Sequence, residues 1–522
     1  MKSDYEYLIL GAGPAGIQLG YYFQKAGRDY LILESGDTVG TFFHKYPRHR
    51  KLISINKVHT GTNDPELKLR HDWNSLLTDD YSLLFKDFSR DYFPHADSLP
   101  KYLENFAKHF GIQVRCGTTI TSVSRSDQGF VLAASDGTQL TCRKLIVATG
   151  VSQVYVPAIE GIELAESYED VAVDPEDFVD QRVLIIGKGN SAFETADNLI
   201  PTAALIHMVS PYPIDFAWKT HFVGDLRAVN NNILDTYQLK SQNAILDAET
   251  QKIRRLPDGT FAVRFAYLHA EGEVEELHYD RIICCAGFRF DASIFHASAK
   301  PETVIFDKFP NLSCEWESTN QPGMYFIGTL MQMRDYKKST SGFIHGFRYN
   351  VQAFDRLLAD KYHQTPWPCV KLPLDAKVLA EKFLSRVNGS SALWQQQSFL
   401  GDVAVVQTDG TVEYYEGMPI AYLQRRYVDQ DKRCFVLTLE FGTSLDEDPF
   451  RVNRIRRDNV TKAASSTFLH PAIREYELGA KASEHHIIED LEAVWKEPEH
   501  IDPLVIYLDQ RIHATDNRVA WE

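Results

Sequence analysis

Short apolar runs that end at a glycine recur along the first part of the chain. Residues 7–10 (YLIL) lead into Gly11, and residues 182–186 (RVLII) lead into Gly187. After each glycine the apolar residues recur at helical spacing, so the pattern predicts a buried strand, a tight turn and an amphipathic helix at both places. Strands that alternate with helices indicate an α/β fold with parallel sheets.

The first turn has the composition of a dinucleotide fingerprint. Residues 11–16 read GAGPAG: Gly11 allows the turn, Gly13 lets backbone amides approach a pyrophosphate, and Gly16 lets the helix pack on the strand. A second apolar strand over 30–33 ends at an acid, spaced to accept hydrogen bonds from a ribose diol. The predicted contacts of this nucleotide are Gly11, Gly13, Pro14, Ala15, Gly16 and Glu34.

The second turn, residues 187–191, reads GKGNS and continues into a helix with alanine in the third small position. No carboxylate ends the next strand, residues 206–210, and a carboxylate there would favour NADH and repel the 2′-phosphate of NADPH. NADPH is therefore favoured and NADH stays open, with Lys188, His207, Ser210 or Lys219 as candidate phosphate partners. The predicted nucleotide contacts are Gly187, Gly189, Asn190 and Ser191.

Two fingerprints predict two bound dinucleotides. Three more strands end in glycine turns, at positions where a flavoprotein with two dinucleotides would bring backbone to its cofactors. These strands lie in residues 145–150 (LIVATG), 281–287 (RIICCAG) and 323–329 (GMYFIGT), the last returning beside a flavin. We predict FAD at the first fingerprint and NADPH at the second. The additional predicted cofactor contacts are Ala148, Thr149, Gly150, Gly287, Gly328 and Thr329.

The order of these features predicts two Rossmann-like domains, one inserted in the other. Residues 1–155 and 286–365 are assigned to an FAD-binding domain, 156–285 to an NAD(P)H-binding domain and 366–522 to a C-terminal α+β domain. The insertion brings the two cofactors face to face, as hydride transfer requires, because the reacting carbons must approach within roughly 3–3.5 Å. The rigid sequence TPWP at 365–368 follows a predicted helix that includes residues 354–358 and marks the last boundary.

Alternating patterns predict the elements of the C-terminal domain. A helix is expected over 375–387, and a hairpin turn at Asp409-Gly410. His485, His486 and Glu489 are expected on a helical stretch with one i, i+4 pair, and without a third ligand we predict no metal site. The expected strands cover 402–407, 412–415, 421–428 and 433–441.

Taken together, these residues resemble the flavin-containing monooxygenase group, whose members carry an FAD fingerprint first and a Gly-x-Gly-Asn-Ser NAD(P) fingerprint second. Residues 52–57 (LISINK) resemble that group's flavin-facing segment, which implies that Ser54 contacts the cofactor and that Asn56 lies near the flavin. A closer resemblance, over nearly the whole chain, is to the FAD-dependent oxidoreductase domain-containing family. It is carried by residues 49–57, 70–77, 174–179, 236–241, 468–471 and 485–490.

The resemblance implies an FAD-dependent, NAD(P)H-using monooxygenase that forms a flavin C4a-peroxide shielded from water. Molecular oxygen would be the co-substrate, and the reaction would be N- or S-oxygenation or Baeyer-Villiger insertion. The substrate would be a free small molecule or an intermediate tethered to a carrier protein. The candidate catalytic contacts are Asn56 to the peroxide, Arg50 to nicotinamide or phosphate, and His345 and Arg348 to a substrate carbonyl or the peroxide.

Two rival hypotheses stay open. A flavin disulfide reductase would pass a hydride through FAD to cysteines, but the seven cysteines include no Cys-x-x-Cys, and adjacent Cys284 and Cys285 fit buried packing better than a redox pair. A flavin-stabilised partner-binding protein would leave the second fingerprint without a use. The linker 161–168 also lacks the histidine that the monooxygenases place there, which weakens the oxygenase assignment.

Composition excludes several other classes. A net charge of −16 over 522 residues disfavours nucleic-acid binding, and no apolar run approaches the ~20 residues of a membrane helix. The family that this chain resembles includes a protein of the ER. Here, however, a core strand follows Met1 closely and the chain ends VAWE, so we expect a cytoplasmic protein. A homodimer through the C-terminal domain is a further expectation.

Overall fold

The computed structural model describes residues 4–239, 242–442 and 451–513, with the Tyr237 side chain left out. The tail VAWE at 519–522, used above in the expected localisation, lies outside these ranges. The strands are β1 Tyr5–Leu10, β2 Tyr30–Leu33, β3 Val114–Arg115, β4 Ile120–Ser126, β5 Gly129–Ala134, β6 Gln139–Val147, β7 Gln153–Val154, β8 Glu166–Ser167, β9 Arg182–Ile186, β10 Leu205–Ser210, β11 Asn243–Arg255, β12 Phe261–Tyr267, β13 Glu273–Tyr279, β14 Arg281–Cys284, β15 Phe288–Arg289, β16 Thr303–Val304, β17 Phe309–Pro310, β18 Met324–Phe326, β19 Cys369–Pro373, β20 Leu400–Val406, β21 Thr411–Pro419, β22 Cys434–Glu440, β23 His470–Glu477 and β24 Ala480–His486.

Helices connect and cover these strands. The α-helices are α1 Pro14–Lys25, α2 Phe42–Lys45, α3 Pro65–Lys68, α4 Ser98–His109, α5 Asn190–Leu199, α6 Ala217–Thr220, α7 Ile344–His363, α8 Ala376–Gly389, α9 Ser391–Gln395, α10 Ile420–Arg426 and α11 Pro498–His513. Short 3₁₀ helices cover Phe85–Asp87, Ile162–Leu164, Pro175–Phe178, Ala228–Asn230, Asn232–Leu239, Gly328–Asp335, Val428–Gln430 and Val460–Ser465.

The first sheet has the order β3-β2-β1-β6-β5-β4, with β18 alongside β6. Strand β1 lies in parallel between β2 and β6, so that Leu10 is level with Leu33 and with Val147. The carboxyl ends of these three strands therefore meet at one edge of the sheet. In an open α/β sheet, ligands bind in the crevice at this edge, where connections leave in opposite directions.

The second sheet has the order β13-β12-β11-β10-β9-β14-β8, with β9 in parallel between β10 and β14. Its strands lie in the chain between β6 and β18, which both belong to the first sheet. The predicted fold class is thus confirmed: two Rossmann-like sheets, one inserted within the other in sequence, precede a third sheet. The numbered domain boundaries stay a prediction.

The third sheet, β19-β21-β20-β22-β23-β24, is antiparallel throughout. Its two faces alternate along each strand and enter different cores. Val436 packs into the core of the first sheet, whereas Phe435 and Leu437 pack with helices α8 and α11. Each fully buried side chain of this size contributes roughly 1.5–3 kcal/mol to the free energy of unfolding. The face that packs into the core of the first sheet therefore fixes the third sheet to the first.

Most predicted elements agree with the structure. Strands β2 and β9 have the predicted bounds, the helix predicted after Gly11 is α1, and α8 and the turn before Thr411 are present. The strand predicted over 421–428 is wrong, because Pro419 ends β21 and helix α10 packs back on it. The helix predicted at His485 and His486 is also wrong, since both residues pair with β23 as part of β24.

Candidate functional site

The glycine turn after β1 meets the steric demands of its fingerprint. Gly11 has φ +102°, and a Cβ there would lie 2.8 Å from the carbonyl oxygen of Ala148. A Cβ on Gly16 would collide with the Gly11 carbonyl oxygen. At Gly13, which precedes Pro14 at the start of α1, nothing described lies within 4 Å of the Cβ position, and no side chain caps the helix. A phosphate can therefore approach the amides of this helix terminus.

Glu34 braces this turn from the end of β2. Its side chain is 7% exposed, and its carboxylate accepts hydrogen bonds from the Ala12 amide at 2.8 Å and the Gly36 amide at 3.0 Å. Because buried polar groups in native proteins are hydrogen-bonded, these two amides hold Glu34 beside the turn. This is the position predicted for the carboxylate that accepts hydrogen bonds from the ribose diol of the nucleotide.

The returning strand β18 brings more of the predicted residues to the same edge. Gly328 has φ +73°, and a Cβ there would lie 2.6 Å from the Ala15 Cβ, so the chain passes directly against α1. The Thr329 hydroxyl donates to the Gly342 carbonyl oxygen at 3.1 Å. The predicted FAD contacts after β1, β2, β6 and β18 are thus close in space, among them Gly150, which has φ +67°.

The turn after β9 repeats this construction. Gly187 has φ +132°, and a Cβ there would collide with the Cys285 carbonyl oxygen. Gly189 faces open space and precedes α5, whose first turn has no side-chain cap. The Asn190 side chain is used differently: Nδ2 donates to the carbonyl oxygens of Gly224 and Asp225, at 3.3 and 2.9 Å. Asn190 therefore holds the facing loop, and the open approach is at the backbone.

One cavity of about 1020 Å³ joins the second turn to the edge of the first sheet. Its walls come from the second sheet, from the segment before Asn56 and from the start of α7. It is wide enough for an extended ligand, since pockets for small molecules usually measure roughly 300–1,000 Å³. The predicted site residues that line it are Ser54, Gly187, Gly189, Asn190, Ser191, Gly287 and Thr329.

Two polar groups on the cavity wall are buried without a partner in the described part of the chain: Glu194 Oε1 and Gln332 Nε2. Burial raises the pKa of Glu194 to about 7, although Tyr168 donates to its other oxygen at 3.5 Å. Unsatisfied buried groups are costly, so both fit a polar ligand. Sequence reasoning missed them, although Glu194 follows Ser191 by three residues and shares its helix face.

Four lysines also line the cavity: Lys51, Lys188, Lys308 and Lys337. Lys188 forms an ion pair with Asp247 and donates to the Tyr212 carbonyl oxygen at 3.1 Å. Ser210, another candidate phosphate partner, lines the cavity as well. His207 is not among the described lining residues, because its ring contacts the Tyr279 hydroxyl at 2.8 Å within the sheet; Lys219 is also outside the lining.

The catalytic candidates Asn56 and Arg50 lie beside the cavity and are absent from its described lining. The Asn56 amide donates to the carbonyl oxygens of Ser89 and Asp91, at 2.7 and 3.2 Å, and Arg50 pairs with Asp97. The contacts predicted for Asn56 with the flavin peroxide and for Arg50 with nicotinamide or phosphate have no support in this geometry, because both side chains are engaged elsewhere; they stay predictions. The segment between them does line the cavity: Lys51, Leu52, Ile53 and Ser54.

Arg348 and His345 lie on the first turns of α7, behind the cavity wall. The Arg348 guanidinium is fully buried and donates to the carbonyl oxygens of Leu69, Asp72 and Ser75 at 2.7–2.9 Å. It therefore ties α7 to the 69–75 segment, and the structure does not support direct contact with substrate.

His345 is 2% exposed and stacks on Trp73, with ring centroids 4.1 Å apart. The ring centroid of His345 also lies 5.9 Å from that of Phe343, which lines the cavity. Burial, together with the nearby Arg348 and Arg227, holds the pKa of His345 well below its usual value. Neither ring nitrogen has a hydrogen bond in the described residues. His345 is thus a neutral imidazole that is separated from the cavity by the ring of Phe343.

The cysteines form no redox pair. All seven are free, and among the described lining residues Cys285 alone is a cysteine. Burial, and to a smaller degree Cys284, raises the pKa of the Cys285 thiol, so it stays protonated at neutral pH. A protonated, buried thiol is inert. The adjacent pair therefore packs as predicted.

Two Rossmann-like sheets, each with a strand–glycine–helix turn, define the class of two-dinucleotide oxidoreductases. The second turn lines the cavity, and the first sheet reaches it through Thr329 after β18. Residues 8–328 match the family described as Pyridine nucleotide-disulphide oxidoreductase. The chain is 38% identical to FAD-dependent oxidoreductase domain-containing protein 2 of Danio rerio, over 99% of this chain and 85% of the relative. The Mus musculus protein of that name is also 38% identical, over 97% and 83%. The chain belongs to this family of flavin-dependent oxidoreductases, which implies FAD together with NAD(P).

Solved structures with the same fold cover about two thirds of the chain. Bacillithiol disulfide reductase Bdr from Staphylococcus aureus is 19% identical, with a TM-score of 0.52 over 69% of this chain and 100% of its own. A flavin-containing monooxygenase from Stenotrophomonas maltophilia is 18% identical, with a TM-score of 0.52 over 69% and 99%. At these identities the similarity shows the fold. Among the described helices, none has the length and apolar character that crossing a membrane requires.

Proposed function

We propose that this protein is an FAD-dependent, NADPH-using monooxygenase acting on a small molecule, either free or tethered to a carrier protein. The observation that carries the proposal is the single cavity that reaches from the second glycine turn to Thr329 and Phe343, without a cysteine pair among its described lining residues. Electrons delivered there have no dithiol to pass through. The acceptor must enter the cavity itself.

The residues present fit FAD at the first turn. The open approach at Gly13 suits a pyrophosphate, and the Glu34 carboxylate suits a ribose diol. Bound there, FAD supplies hydride acceptance from NAD(P)H and electron transfer to oxygen. Thr329 and Phe343, which line the cavity near this edge, would position the ring system, and the Gln332 amide would donate the hydrogen bond it otherwise lacks.

The second turn fits the nicotinamide nucleotide. Gly189 leaves the α5 terminus open to a pyrophosphate. Lys188 and Ser210, which line the same cavity, would bind the 2′-phosphate of NADPH. Glu194, with its pKa raised to about 7 by burial, can hold or release a proton at physiological pH beside this nucleotide. The aromatic walls, including Tyr46 and Phe288, would exclude water from the reacting atoms.

Anaerobic stopped-flow reduction of the purified flavoprotein tests the proposal. We expect NADPH to reduce the bound flavin faster than NADH does. After mixing with oxygenated buffer, a monooxygenase that retains NADP⁺ releases hydrogen peroxide slowly and recovers the oxidised flavin spectrum late. Immediate recovery with stoichiometric hydrogen peroxide would contradict the proposal. So would rapid turnover of a disulfide, which would favour the reductase hypothesis.

A further inference from the structure

Three side chains from neighbouring strands meet at one end of the third sheet, outside the described lining of the cofactor cavity. They are Glu440 on β22, His470 on β23 and His486 on β24. Glu440 is opposite His470, and His486 is opposite Ala472, so all three project from the same face of the sheet. Their potential ligand atoms lie within 4.8 Å of one another. This arrangement is set by strand register and joins residues up to 46 positions apart.

The His470 imidazole is oriented as a metal ligand usually is, and its second nitrogen faces His486. His470 is 1% exposed, and its Nδ1 lies 2.7 Å from the Phe468 carbonyl oxygen. A carbonyl only accepts, so Nδ1 carries the proton and the Nε2 lone pair is available. This Nε2 lies 2.9 Å from Nδ1 of His486. A backbone carbonyl that fixes the far nitrogen of an imidazole is the typical support of a metal-binding histidine.

Glu440 supplies the negative charge of the cluster. Its carboxylate accepts two hydrogen bonds from Arg474, at 2.6 and 3.0 Å. Each carboxylate oxygen has two acceptor directions. Oε2 accepts from Arg474 and also from the Thr438 hydroxyl at 3.2 Å, whereas Oε1 accepts from Arg474 alone. Arg474 therefore supports the carboxylate, and the free acceptor direction lies on Oε1.

We propose that Glu440, His470 and His486 bind one divalent transition-metal ion, for which Zn²⁺ is the best match. Two imidazole nitrogens and one carboxylate oxygen form a common zinc ligand set, and water completes the tetrahedron. Zinc–nitrogen bonds of roughly 2.0–2.1 Å place two nitrogens about 3.3 Å apart. The imidazoles therefore need to separate by only a few tenths of an ångström from their present distance.

The position of the cluster indicates a structural role. Phe441, the residue after Glu440, stacks on His221 with ring centroids 3.9 Å apart and planes at 6°. His221 directly precedes residues 222–225, which line the cofactor cavity. A metal at the cluster would fix the ends of β22, β23 and β24 relative to each other and, through Phe441, would steady this part of the cavity wall.

Metal binding by the full-length, tag-free flavoprotein tests the proposal. After chelator treatment and dialysis, we expect Zn²⁺ to bind at one equivalent and Co²⁺ to give the visible absorption of a tetrahedral N/O site. His470→Gln and His486→Gln should each weaken Zn²⁺ binding by at least about tenfold. His485→Gln is the matched control, because that ring stacks on Tyr507 on the opposite face, with centroids 5.1 Å apart.

Retention of the flavin absorbance identifies variants that still fold. If His486→Gln fails to fold, Glu440→Gln replaces it, since this change keeps the size of the side chain and removes the charge. Saturable binding that is lost in the cluster variants and kept in His485→Gln would support the site. Absence of saturable binding in the wild-type protein would overturn it, and so would equal losses in His485→Gln and His486→Gln. Neither result depends on the reaction catalysed.

Discussion

The glycine turns after β1 and after β9 have the same backbone geometry but different surroundings. In each, a glycine with positive φ lies against a carbonyl oxygen at the end of a neighbouring strand, Ala148 for Gly11 and Cys285 for Gly187. In each, the next glycine faces open space at an uncapped helix terminus. Local backbone chemistry is thus duplicated, as expected for two sites that both bind a pyrophosphate.

The bracing of the two turns differs. Glu34 holds the first turn through the Ala12 amide, and Gly328 covers it by packing on Ala15. The second turn has no such carboxylate on β10, which ends at Ser210, and its Lys188 is tied to a neighbouring strand. Gly13 is half-buried and Gly189 is exposed in the cavity. We infer that the first turn retains its nucleotide, whereas the second allows its nucleotide to exchange.

The largest expected effect is at the retained nucleotide. Gly13→Val should give a folded but colourless protein, because the new side chain would occupy the open approach without a clash inside the protein. Absorbance of the purified protein measures the flavin content. Gly389→Val is the matched control, since Gly389 also faces open space with an ordinary φ but lies at the end of α8. Full flavin content in Gly13→Val would remove FAD from this turn.

The corresponding change in the exchangeable site should separate the two functions. Gly189→Val is expected to keep FAD and to slow flavin reduction by NADPH at least about tenfold, which corresponds to ~1.4 kcal/mol. Anaerobic stopped-flow absorbance gives this rate. Reduction by dithionite serves as the control, because it needs no nucleotide. If Gly189→Val lost flavin as Gly13→Val does, the contrast between the turns would fail.

A medium effect is expected from Glu194 on the pH dependence of stability. Its pKa is raised by burial from 4.5 to about 7, so the native state binds this proton more tightly than the unfolded chain does. Stability therefore falls as the pH rises from 4.5 to about 7 and stays lower above that range. Above this range, the ionised and buried Glu194 carboxylate lowers the free energy of unfolding. Glu194→Gln should recover up to about 3 kcal/mol of that loss.

Thermal unfolding of the Glu194→Gln variant and the wild-type protein at pH 5 and pH 8 tests this prediction. The variant should gain stability relative to the wild type at pH 8 and little at pH 5. Glu163→Gln is a suitable control, since that residue lies outside the cavity lining. A gain of the same size at both pH values would mean that Glu194 is not protonated in the native state.

The smallest expected effect concerns the choice of nucleotide. Lys188→Ala should raise the KM for NADPH by about three- to tenfold, or roughly 0.7–1.4 kcal/mol, and leave the KM for NADH nearly unchanged. The change removes a cation and also frees the Asp247 carboxylate, which would repel a 2′-phosphate. Steady-state kinetics with both nucleotides measures the ratio. An equal rise for both would assign Lys188 to the shared part of the nucleotide.

Sequence reasoning succeeded where a local backbone requirement decides the structure. A glycine at positions 11 and 187 is needed both by the positive φ and by the adjacent strand, so the ends of β1 and β9 are fixed by these turns. It failed over 421–428, where alternation was weak and packing on β21 selected a helix. The same analysis could not place Asn56 or Arg348, because their hydrogen-bond partners depend on loops that approach in three dimensions.

The sequence by itself determined the two strand–glycine–helix units, their order and the α/β class. Each unit is encoded by one continuous stretch of the chain, whose apolar spacing and glycines predict it locally. Only the tertiary structure decided which polar groups face the cavity, as with Glu194 and Gln332. It alone brought Glu440, His470 and His486 together. The physical reason is that burial and strand register, which join distant segments, set these environments, and neither leaves a periodic signal in the chain.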